Sequence, residues 1–250
     1  MMSIQVCFLS EVAIERAAER LLRIFGREQK PITSPPVPVE EILVLLGLSC
    51  DFDNLRKLFR LHDVLGALWV STKEVFIDET LDPVTNPGME GRYRFTLSHE
   101  IGHWHLHRRQ VSAQSDSGFG RRQRLASVVC RTSDSSPIEV QANAYASCLL
   151  MPRDMILDWW KKGAGGRKSI SVANLREYEH YILRQDRRII LTQKQRVDAL
   201  FDWAGAPLAD LFQVSRTAMR LRLQRLGLLR RPISENGEVL TRLVNAEMFR

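Results

Sequence analysis

The stretch "SHEIGHWHLH", residues 98–107, holds four of the chain's six histidines. Its reading decides the fold. His99 and His103 stand four apart with Glu100 between them. A helix turns about 100° per residue, so positions four apart differ by about 40° around the axis and by one turn along it. Both imidazoles can then point at one ion from one helix face. Glu100 sits beside them, turned toward a water on that ion. This is the HExxH arrangement of a metallopeptidase, in which two histidines hold zinc and the glutamate is the general base.

A catalytic zinc needs a third protein ligand and an open fourth position. His107 is two turns from His99, about 12 Å along the axis, and an unbroken helix cannot bring both rings to one ion. His107 is therefore expected at the helix end. His105 faces away and reads as a surface or helix-packing residue. The better third ligand is Glu139 in "PIEVQANAYASCLLMP", residues 137–152. There Ile138, Ala142, Tyr145 and Leu149 form a helical apolar stripe, and Glu139 and Asn143 lie one notch around. A glutamate in a first helical turn is also favoured by the helix dipole alone, but the HExxH segment tips the reading to ligation. Asn143, one turn on, can offer its amide oxygen to a ligand histidine. Gly102, with no side chain, would let the two helices approach closely. Two histidines and one carboxylate with an open position suit zinc.

Upstream, residues 11–25 read as an amphipathic helix, and "GREQKPITSPPVPV" as an extended, proline-rich connector. "PVEEILVLLGLSCDF" predicts a short helix stopped near Gly47 and then a strand. "LGALWVSTKEVFIDE" predicts a hairpin. In "RYRFTLS", Tyr93, Phe95 and Leu97 alternate with Arg92 and Arg94, which predicts a short strand leading into the histidine helix. Residues 108–136 are polar and read as a long loop. "KKGAGGRK" reads as a flexible break, and residues 171–230 as helical.

The chain has 250 residues and a formal net charge of +7. The charge is uneven: residues 1–160 carry 18 Lys and Arg against 20 Asp and Glu, and residues 161–250 carry 18 against 9. Such a basic C-terminal part suggests an anionic partner. The longest apolar run, near residues 42–48, is far below a membrane span. The N-terminal residues lack the basic start of a secretory signal. The four cysteines (Cys7, Cys50, Cys130, Cys148) form no CxxC pair, so a reducing cytoplasm is the expected compartment.

The two motifs together, "RFTLSHEIGHWHLH" and "IEVQANAYASCLLMP", resemble those of the ImmA/IrrE family of bacterial and phage metallopeptidases. The likeness extends upstream through "PPVPVEEILVLLGLSCDF" and "LGALWVSTKEVFIDE", and downstream to "LADLFQVSRTAMRLRLQRLGLL", over roughly residues 10 to 230. The resemblance implies a minimal gluzincin-like Zn2+ endopeptidase. His99, His103 and Glu139 would be its metal ligands and Glu100 its catalytic base. It also implies a protein substrate, a helix-turn-helix repressor whose cleavage derepresses mobile-element or stress-response genes. Tyr145 stands where the family usually has Phe.

The expected fold class is α+β. A zincin-like domain over residues 1–160 combines a small sheet with the HExxH helix and the glutamate-bearing helix. A flexible break and connecting helix follow over residues 161–190, then a basic helix-turn-helix-like segment over residues 191–250. Within the last, Leu208, Ala209 and Phe212 would pack one helix and Val214, Ala218, Met219 and Leu223 a second. That leaves Arg216, Arg220 and Arg222 exposed, as a major-groove helix needs. DNA binding through residues 208–226, with a structural or vestigial zinc centre, is the alternative function. In the enzyme reading, residues 92–95 would be the strand beside the cleft. The oxyanion-stabilising group stays open among Tyr145, Tyr178 and His180.

Overall fold

The structure is a computed structural model, and it describes residues 6–115, 126–163, 167–175 and 192–231. The chain divides into two compact units, residues 1–152 and 153–250. The first unit is α+β and holds the histidine segment.

Helix α1 (Glu11–Glu28) starts at Ser10, whose hydroxyl accepts from the Ala13 amide, and buries Ile14, Ala17, Ala18, Leu21 and Phe25. This is the amphipathic stripe expected from its spacing. Helix α2 (Val39–Leu45) stops before Gly47, which takes φ +69°. Only glycine adopts that backbone readily. Strand β1 (Ser49–Asp53) follows, then a short helix α3 (Leu55–Phe59) that the sequence did not suggest. Strands β2 (Val64–Trp69) and β3 (Glu74–Asp78) form the expected hairpin.

The sheet order is β1-β3-β2-β4, with β4 at Val128–Arg131. β1 runs parallel to β3, while β2 is antiparallel to β3 and β4, so the sheet is mixed. β4 falls in the segment expected to be loop. One face of the sheet buries Leu55, Val64, Ala67 and Trp69 in an apolar cluster, with Phe59, Phe76 and Val129 packed against it.

Two corrections concern the histidine segment. Residues 92–98 are helix, since α4 runs Glu90–Gly102 without a break. Three alternating apolar residues are too few to separate the two periods. Over a longer window Tyr93, Leu97 and Ile101, all buried, recur every fourth residue. "RYRF" is thus no cleft strand. After α4 the chain makes one wide turn of π geometry, His103–His107, and then continues as α5 (Arg108–Ser115). His107 is therefore interior to a helical stretch.

Helix α6 (Pro137–Leu150) opens on Pro137 and ends before Pro152. Ser136 caps it by position but makes no side-chain cap bond. α6 packs along α4 at Gly102. A Cβ on Gly102 would stand 3.2 Å from Tyr145 Cδ1 and 3.3 Å from the Ala142 carbonyl oxygen. The close approach inferred from that glycine is present.

The second unit contains α7 (Arg153–Gly163), β5 (Ile170–Ser171), α8 (Gln193–Phe212), α9 (Arg216–Arg225) and β6 (Leu229–Arg230), with β5 parallel to β6. α8 starts in a capping box, Thr192 with Gln195. α8 and α9 meet through a turn at residues 213–215, where Gln213 takes φ 52°. Val214, Met219 and Leu223 are buried as expected. Two of the three arginines are not exposed. Arg220 pairs with Asp202 at 2.7 Å and with Asp198 at 3.1 Å, and Arg222 is buried. Both aspartates come from α8, and neither period nor net charge could announce that pairing. Among the described residues no helix is long and apolar enough to cross a membrane.

Candidate metal centre

α4 and α6 bring together the residues that the sequence singled out. His99 Nε2 and His103 Nε2 lie 2.8 Å apart. Glu139 reaches both from α6, with Oε2 3.0 Å from His99 Nε2 and Oε1 3.2 Å from His103 Nε2. All three side chains are buried, and so is Glu100.

The hydrogen bonds behind the two histidines fix where their protons are. His99 Nδ1 lies 3.0 Å from Asn143 Oδ1, an acceptor, so Nδ1 carries the proton and Nε2 does not. His103 is fixed by a longer relay. Gln141 Nε2 donates to the Cys7 carbonyl at 3.1 Å, which turns its Oε1 toward His107 Nε2 at 3.2 Å. His107 must donate from Nε2 and accept at Nδ1. His103 Nδ1, 3.3 Å from that acceptor, then donates. His103 Nε2 is left as a bare lone pair. Burial is the main reason that His107 titrates below its ordinary range. Burial, and then the neighbouring His99, push His103 down from 6.5 to about 4. Both rings are neutral at pH 7, as the relay requires.

Two imidazole lone pairs and one carboxylate therefore face one another at 2.8–3.2 Å with no proton between them. Such a meeting of acceptors is costly unless a cation sits among them. Two nitrogens and one carboxylate are a donor set that fits zinc.

Glu100 lies on the sheet side of α4. A Cβ on Gly66 of β2 would fall 2.7 Å from Glu100 Oε1, so that glycine makes room for the carboxylate. Among the described residues neither Glu100 oxygen has a hydrogen-bond partner. Burial first, and then the Glu139 charge, push its carboxyl well above the ordinary carboxylate range. Cys130 of β4 also offers its sulfur within 4.8 Å of ligand atoms of His99 and Glu139.

His105 packs against α6 and bonds the Tyr145 hydroxyl at 2.7 Å. Tyr145 is fully buried and its hydroxyl is thus engaged away from any oxyanion role. Tyr178 and His180 lie outside the described residues. The parts that sequence reasoning missed are Gln141, the supporting role of His107, and Cys130. His107 follows His103 by four residues, the same spacing as His99 to His103, so the signal for a ring-to-ring contact was present. Gln141→Leu should break the relay while leaving every ligand in place. Metal affinity should fall about 10–100-fold, as for other lost supports of a ligand histidine. Competition with a chromogenic chelator measures it.

Residues 57–178 match the family model described as the IrrE N-terminal-like domain, peptidase M78. A solved structure described as a Mycobacterium tuberculosis transcriptional regulator is 15% identical, with a TM-score of 0.39 over 92% of this chain and 54% of its own. The chain thus spans about half the length of that structure. No curated protein matches it. His99, Glu100, His103 and Glu139 all fall inside the matched segment, so residues 57–178 form an IrrE N-terminal-like domain.

Proposed function

We propose that the chain is a zinc-dependent endopeptidase. His99, His103 and Glu139 hold the metal, and Glu100 moves the proton. The observation that carries this reading is the meeting of three acceptor groups whose outer hydrogen bonds leave no proton to share. When bound, zinc supplies a Lewis acid for a peptide carbonyl and for water. Glu100 takes a proton from the attacking water on its carboxylate and delivers it to the leaving nitrogen. Its unpartnered, buried oxygens suit that task, because nothing else holds them. β4, at the sheet edge beside the centre, is the strand on which an extended peptide would lie. Residues 1–160 would form this peptidase domain, 161–190 the connecting part and 191–250 the basic segment.

The substrate we infer is a helix-turn-helix repressor encoded next to this gene, cut so that its target genes are derepressed. The test is to co-purify that repressor and measure cleavage with zinc, with a chelator, and with zinc restored. Cleavage that returns only with metal supports the reading. Cleavage indifferent to the chelator sinks it. DNA binding through residues 208–226 is less well supported. Of the three arginines expected on a major-groove face, Arg216 is exposed, while Arg220 is paired with aspartates and Arg222 is buried.

A further inference from the structure

The three ligands proposed above leave one position of a tetrahedral ion to be filled. A catalytic site keeps that position for water, and a structural site closes it with a protein group. Of the four cysteines only Cys130 places its sulfur in a cluster with ligand atoms of His99 and Glu139, all within 4.8 Å of one another. The strand register gives the same direction independently. Cys130 pairs directly with Gly66 across β4 and β2. Opposed residues of an antiparallel pair project to the same face. The Gly66 face looks straight at Glu100, since a Cβ there would touch Oε1 at 2.7 Å. Cys130 is buried and points the same way, to the side of the centre where the orphaned Glu100 carboxylate stands.

We propose that Cys130 is the fourth ligand of this centre and holds it in a closed, latent form. The inference rests on the metal-centre reading and deepens it. Cys130 stands with His99 and Glu139; once its sulfur also closes on the ion that His103 holds, a soft thiolate, two imidazoles and a carboxylate make a four-coordinate site that binds zinc well. It also occupies the position that water must take, next to the base that would deprotonate that water. Activity then requires withdrawal of one side chain on an edge strand, a movement that need not disturb α4 or α6. An extended substrate added along β4 is a natural agent of that withdrawal.

X-ray absorption on the full-length zinc protein tests this. The wild type should show a sulfur scatterer at about 2.3 Å, and its cobalt form a near-ultraviolet thiolate charge-transfer band. Cys130→Ser and Cys130→Ala should each keep a single metal and lose both signals. In the alanine variant, added acetohydroxamate should shift the cobalt spectrum, whereas wild type should not respond. A wild-type shell of nitrogen and oxygen alone overturns the fourth-ligand proposal and leaves the three-ligand centre standing. A sulfur signal that survives in both Cys130 variants overturns it too, by assigning the sulfur to another cysteine. Wild-type protein that binds no metal overturns the centre itself, so the two failures are told apart. Because the wild-type spectrum is decisive alone, poor folding of a variant does not blunt the test.

Discussion

Glu100→Gln should retain its metal and lose about 10²–10⁴-fold in peptide hydrolysis, the usual contribution of general acid–base catalysis. The substitution keeps shape and hydrogen-bonding reach but cannot take a proton at neutral pH. Burial and the Glu139 charge push the Glu100 carboxyl upward. The buried amide brings two donors to a place where the carboxylate had no partner, so a modest loss of stability is expected. Metal content separates the two effects. A variant that binds zinc normally and cleaves the neighbouring repressor at the wild-type rate removes Glu100 from the mechanism.

Glu139→Ala should weaken zinc binding by roughly two to three orders of magnitude. Structural zinc sites bind with about 10–16 kcal/mol shared among four ligands, about 2.5–4 kcal/mol each, and each 1.4 kcal/mol is a factor of ten. Thermal unfolding makes this visible. A saturating metal at about 1,000 times its Kd adds about 4 kcal/mol, so wild-type Tm should rise with zinc and the variant's should barely move. Equal rises would assign the metal elsewhere. The chelated wild type should also be acid-sensitive. His103 titrates near 4 in the fold against 6.5 ordinarily. Between those values the unfolded chain binds the extra proton, so this contribution is complete above 6.5 and is lost as pH falls toward 4. Tm of the chelated protein measured from pH 6.5 down to pH 4 checks the direction.

The parts legible in the sequence were those set by local period and residue chemistry. The spacing of His99 and His103, the stripe of α6 and the glycine contact at Gly102 follow from helix geometry and reappear in the fold. What was not legible depended on length or on distant partners. Tyr93, Phe95 and Leu97 mimic a strand over too few residues to expose the helical period. The four residues of β4 are hidden in a polar stretch, and their strand character comes from pairing with β2. The assumption of a regular helix through residue 107 hid the wide turn, in which His107 supports His103. Arg220 looked free because Asp198 and Asp202 lie a helix away.

The relay behind His103 ends on a main-chain carbonyl at Cys7, in the segment that leads into α1. Every side-chain replacement at position 7 preserves that acceptor, so mutational scanning would pass over it. Trimming the segment, or straining it with a fusion partner, removes the acceptor. Gln141 is then free to rotate, and the His103 tautomer is no longer dictated. How the leading residues are handled during preparation thus bears on metal occupancy, and a metal-poor sample of shortened protein would be a property of the cut.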